Sequence, residues 1–169
     1  MEQDVVAGFT PGLIGEVATL HGEYYAREWG LPVAFEAYVA KGLAEFALRF
    51  APGRDGAWSV REAGRLAMFL AADLGVEPGK AQVRWFIAGP QAAGRGLGKR
   101  LLTLALEHCR DQGVAEVFLW TFAGLHAARA LYDRAGFVQA EEARDDRYGR
   151  ELISRKLVLK LGLRPGRAG

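Results

Sequence analysis

Cysteine is almost absent from this chain: Cys109 stands alone among 169 residues. One thiol excludes an intrachain disulfide and suits a reducing cytoplasm, which is the expected location. Its place on the apolar side of a helical pattern marks it as core packing rather than a nucleophile. Long hydrophobic runs are missing too, and none approaches the roughly 20 residues of a membrane-spanning helix. Met1-Glu2-Gln3-Asp4 is acidic and lacks the basic-then-apolar layout of a secretory signal. Charge of one sign is also in short supply. Lys and Arg total 22 against 20 Asp and Glu, and a net charge of +2 gives no argument for a nucleic-acid partner. There is no internal repeat and no linker. What remains is ordinary globular composition, half hydrophobic and a quarter charged. One domain over residues 1–163 is expected, with a loose tail at 164–169.

Apolar spacing divides the chain into elements. Val5 to Phe9 reads as a strand, and Thr10-Pro11 as the cap and first position of a helix reaching about Trp29. A second helix is expected from Val33 to Phe50. Ala57 to Glu62 and Leu66 to Asp73 read as a hairpin turning at Ala63-Gly64-Arg65. Ala81 to Ala88 follows, with Val83, Trp85 and Ile87 placed on one face by alternation. Leu97 to Gln112 is a clear amphipathic helix ended by Gly113. Val117 to Thr121, a helix from Leu125 to Arg134, and strands Phe137 to Arg144 and Leu152 to Leu161 complete the order.

Between the fourth strand and the third helix lies Gly94-Arg95-Gly96-Leu97-Gly98-Lys99-Arg100. Glycines there permit a tight turn, and a helix beginning at that point offers unpaired N–H groups to an anion. A phosphate or pyrophosphate is the natural ligand, although a strand-to-helix turn without a ligand has the same appearance. A Walker A loop ending at Gly98-Lys99 would need Gly at Ala93 and Ser or Thr at Arg100. A dinucleotide fingerprint would need Gly at Lys99 or Leu101. Both patterns fail. The segment resembles instead the acyl-CoA loop of the GNAT superfamily of N-acetyltransferases, Q/R-x-x-G-x-G/A, with Ala93, Gly96 and Gly98 at its defined positions. Ala93 departs from the usual Gln or Arg. Downstream, Ala128 to Phe137 (A-R-A-L-Y-D-R-A-G-F) resembles a second segment of that family. The acetyltransferase halves of bacterial MarR–GNAT fusion proteins are similar as well.

The resemblance implies an α/β (α+β) GNAT fold: a mixed, twisted sheet of about seven strands with helices on both faces and the fourth and fifth strands splayed. It implies acetyl-CoA as cosubstrate, with Phe86, Ile87 and Ala88 bonding its pantetheine. Gly94, Arg95, Gly96, Leu97, Gly98 and Lys99 would hold the pyrophosphate. The Ile87 N–H would polarise the thioester carbonyl, and Tyr132 would donate a proton to the departing thiolate. The expected reaction is acetyl transfer to a small-molecule or peptide amine in a ternary complex, with no metal, no membrane and a homodimer left open. An alternative is a non-catalytic acyl-CoA-binding regulatory module. No carboxylate falls at the family's usual base positions. Glu28, Glu62, Asp73 and His126 are the candidate bases, beside a water chain, while His21 and His108 read as structural or surface groups.

Overall fold

The computed structural model describes residues 4–162. In chain order these form β1 (Val5–Ala7), α1 (Leu13–Trp29), α2 (Val33–Arg49), β2 (Gly56–Glu62), β3 (Arg65–Glu77) and β4 (Lys80–Ala88). A 3₁₀ turn (Pro90–Ala92) precedes α3 (Leu97–Asp111), followed by β5 (Glu116–Phe122), α4 (His126–Ala135), β6 (Val138–Asp145) and β7 (Leu152–Lys160). The expected elements are all present, with ends displaced by a few residues. Thr10 is not a cap. Gly12 takes the N-cap position at φ 89°, and the Thr10 carbonyl instead accepts from the Leu13 N–H at 3.1 Å, so Thr10-Pro11 forms a turn ahead of the helix. The tail at 164–169 lies outside the described residues. Among the described residues, no helix is long and apolar enough to cross a membrane.

The seven strands form one sheet in the order β1-β2-β3-β4-β5-β7-β6, antiparallel except where β4 meets β5. Central β3 is buried from Leu66 through Asp73 because helices cover both of its faces. On one face Leu101, Leu102, Ala105 and Cys109 of α3 pack with Val83, Leu119 and Tyr132. On the other, Val17 of α1 and Phe35, Leu43 and Phe46 of α2 pack with Phe69 and Ile87.

Alternation fails in β4, and the failure positions the site. Ala71 faces Arg84 and Phe69 faces Ile87, so one residue of β3, Leu70, lies opposite two of β4, Trp85 and Phe86. The additional residue is a bulge at Trp85, whose φ is +50°. Val83 therefore joins the α3 side and Ile87 the α1–α2 side, correcting the common face expected for them. A second break lies on the other edge of β4. It pairs with β5 only over Lys80–Gln82, after which β5 continues with β7 as far as Phe122.

Candidate active site

Separation of β4 from β5 opens a cleft of about 1320 Å³ that runs from the α3 N-terminus, past α4, to α1 and the β6–β7 turn. At the α3 end, the glycine loop divides its labour. Gly94 and Gly96 adopt φ of 74° and 72°, conformations costly for other residues, whereas Gly98 is already helical. A Cβ at Gly98 would lie 3.4 Å from Leu131 and 3.5 Å from Phe86, ordinary contact distances, so this position packs α3 against α4 and β4 without requiring glycine. The first helical bond is from the Arg100 N–H to the Gly96 carbonyl at 3.1 Å. Leu97, Gly98 and Lys99 thus lack helical acceptors for their N–H groups, and no side chain caps this terminus. Gly94, Gly96, Leu97, Gly98 and Lys99 all line the cleft. The Arg95 side chain does not: it turns back to pair with Glu62 at the end of β2, which leaves only its main chain at the loop.

Along the free edge of β4, the direction of each amide follows from the ladder. Gly89 donates to the Ala67 carbonyl at 2.8 Å. Hydrogen-bonded and non-bonded pairs alternate in an antiparallel ladder, so Phe69 and Ile87, two residues further in, exchange the next bonds. Ile87 therefore directs its N–H at β3, which corrects its expected role as donor to a thioester. Ala88, and Phe86 just after the bulge, present their main-chain groups to the side β5 has left.

Tyr132 on α4 is only 6 % exposed, beside Phe86 and Phe137. Burial pushes its phenol above the ordinary value, so it stays protonated. No hydrogen bond engages its hydroxyl among the described residues, where the sole sealed, unpartnered side-chain oxygen or nitrogen is Glu62 Oε2. The Tyr132 hydroxyl is thus open to the cleft that it lines. Across that cleft stands Tyr25 of α1, its hydroxyl raised first by burial and further by the nearby hydroxyls of Tyr24, Tyr132 and Tyr148. His21, one turn before Tyr25, donates from Nδ1 to the Val17 carbonyl at 2.8 Å, and burial lowers its pKa to about 4. The stripe Val17–His21–Tyr25 has the helical spacing of an ordinary core face, so the sequence alone marks His21 as structural.

Of the four candidate bases only His126 lines the cleft. Glu28 pairs with Arg27 and Glu62 with Arg95. Asp73 is fully buried behind β4. Burial opposes its ionisation, but Arg49, the Gly75 N–H and Arg84 outweigh that and hold its carboxyl below the usual range. Arg84 bonds Asp73 at 3.1 Å and lays its guanidinium 4.0 Å over the Trp85 ring, so this network props the bulge.

Residues 17–137 match the model of the acetyltransferase (GNAT) family. A mycothiol acetyltransferase from Rhodococcus jostii is 47% identical over 64 residues, which are 37% of this chain and 21% of that protein. One from a Nocardioides species is 36% identical over 81 residues, 47% of this chain and 28% of that protein. The chain thus spans well under a third of the length of these curated relatives. Among solved structures, the ribosomal-protein-S18-alanine N-acetyltransferase of Escherichia coli has a TM-score of 0.68 at 20% identity, over 99% of this chain and 98% of that one. A GNAT-family acetyltransferase from Staphylococcus aureus reaches 0.77 at 12% identity, covering 95% and 100%. A Salmonella typhimurium protein described as an acetyltransferase with its cofactor acetyl-CoA gives 0.71 at 13%, covering 98% of both chains. At these identities the structural likeness establishes the fold.

Proposed function

The chain belongs to the GNAT acetyltransferase family, and on that premise we propose that it transfers the acetyl group of acetyl-CoA directly to an amine in a ternary complex. The observation that carries this reading is the continuity of one cleft from the amides of Leu97–Lys99, along the open edge of β4, to the Tyr132 hydroxyl. The diphosphate would bind the α3 N-terminus and the Lys99 ammonium. The pantetheine would run back along β4 as an added strand, bonding Ala88. That direction brings the thioester to the bulge, where the Phe86 N–H meets the carbonyl oxygen and stabilises the charge that develops on it.

The acceptor nitrogen attacks the carbonyl carbon, a C–N bond forms, and the C–S bond breaks. The amine loses one proton to solvent, and the departing sulfur takes one from the Tyr132 hydroxyl, which solvent restores. Burial raises the phenol, and it raises a thiolate placed against it in the same sense, so the two remain matched. A strong base is not required. The dry wall that holds His21 neutral and keeps Tyr25 and Tyr132 protonated also favours the uncharged form of an entering amine. These steps call on no metal. The lone buried thiol of Cys109 supports a cytoplasmic setting.

Thiol release from acetyl-CoA, followed with and without a panel of amines, tests the proposal. Release that depends on an amine, with a matching acetylated product, is the expected result. Tight acetyl-CoA binding with no amine-dependent release would favour a non-catalytic acyl-CoA-binding module. That module is the weaker reading, because it leaves an unpaired phenol at the thioester end without a purpose.

A further inference from the structure

Beyond the bulge the cleft ends in a wall of rings: Tyr24 and Tyr25 of α1, Phe35 of α2, Phe122 of β5 and Tyr148 of the β6–β7 turn. The rings touch in sequence. Tyr24 and Tyr25 are 4.9 Å apart, Tyr25 and Phe35 4.6 Å, Phe35 and Tyr148 5.1 Å, and Tyr25 and Phe122 5.8 Å between centroids. All but Phe35 are only partly buried, so they remain surfaces rather than sealed core.

Beside the tyrosine hydroxyls at its edges, a buried imidazole interrupts this wall. His21 is 5 % exposed, and with Nδ1 committed to Val17 its neutral ring keeps a lone pair on Nε2. Nε2 has no hydrogen-bond partner among the described residues, yet it is not among their sealed orphan atoms. It therefore opens on the cleft that His21 lines.

We propose that the acceptor is a primary amine carried on an apolar, ring-sized body, one amine N–H bonded to His21 Nε2 and the body set among Tyr24, Tyr25, Phe35, Phe122 and Tyr148. This rests on the acetyl-transfer reading and gives it a substrate class. The hydrogen bond to Nε2 uses an N–H and leaves the nitrogen lone pair free to attack. Polyhydroxylated bodies fit poorly against the faces of Phe35 and Phe122, which offer a buried hydroxyl no hydrogen-bond partner. His21 is a positioning group for the amine rather than a store for its proton.

The test compares kcat/KM for 2-phenylethylamine, ethanolamine and glucosamine by thiol release, with acetyl-CoA affinity measured separately by calorimetry. The wild type should prefer 2-phenylethylamine by about tenfold or more, the worth of burying one ring. His21→Ala should raise KM for that amine about tenfold with acetyl-CoA affinity unchanged, and His21→Gln, which restores an acceptor, should recover part of the loss. Ethanolamine or glucosamine used as well as the arylalkylamine would overturn the proposal while leaving acetyl transfer standing. So would a fully folded His21→Ala enzyme with unchanged KM. Absence of release with every amine, despite acetyl-CoA binding, would overturn the transfer reading and this proposal with it.

Discussion

Gly96 and Gly98 stand two residues apart and answer to different constraints. Gly96→Ala places a Cβ in open space but in the left-handed region, which disfavours the native loop by about 1–2 kcal/mol. Calorimetry should therefore show acetyl-CoA binding weakened about tenfold. Gly98→Ala meets ordinary contacts in a helical conformation, so its melting temperature should stay within a few degrees of wild type. Tyr132→Phe should lower kcat by about 100-fold and leave acetyl-CoA affinity unchanged, the signature of a lost proton donor. His21 makes a prediction about stability. Its folded pKa of about 4 lies below the ordinary 6.5, so between those values the unfolded chain binds a proton that the folded one does not. Stability should fall as pH drops from 6.5 toward 4, by on the order of 3 kcal/mol. Urea titrations at stepped pH should show this decline, and His21→Gln should flatten it. The turn at Gly94 and Gly96 and the place of Tyr132 on α4 were legible in the sequence because glycine requirements and motif spacing are local. His21 was not, because the same helical stripe describes a core residue and one that opens on a cleft.

The decisive element is β4. A positive φ at Trp85 costs on the order of 1–3 kcal/mol and needs surroundings that enforce it. Those surroundings are the Arg84 guanidinium stacked on Trp85 and tied to Asp73, with Arg49 closing the network. Asp73→Asn removes the charge that both arginines share in a fully buried position. The expected outcome is a loss of about 3 kcal/mol in denaturant unfolding, together with reduced kcat/KM as the bulge relaxes. Wild-type stability in that variant would show the network to be dispensable. The sequence displayed a regular strand here, since Val83, Trp85 and Ile87 alternate faultlessly. Only the pairing with β3 shows that an extra residue intervenes. The family resemblance points to Ile87 as the donor, but amide direction is a property of register, which two strands set together.

At the scale of the whole molecule, two cores lie on opposite faces of the sheet, and β4 and β5 part between them. Order and type of the elements were readable from periodicity; the cleft they enclose was not, because it arises from strands that stop pairing after three residues. A ligand that fills it binds only the folded chain. At 100 times its dissociation constant, acetyl-CoA should stabilise the protein by about 2.7 kcal/mol, a shift of several degrees in melting temperature. ATP and NAD, which lack the pantetheine arm, should give markedly smaller shifts. The most direct measurement is a crystal structure with coenzyme A bound. The account places diphosphate oxygens within hydrogen-bond reach of the Leu97, Gly98 and Lys99 N–H groups, the pantetheine on Ala88, and sulfur beside the Tyr132 hydroxyl. A coenzyme bound away from the gap between β4 and β5, or with its thiol remote from Tyr132, would contradict it.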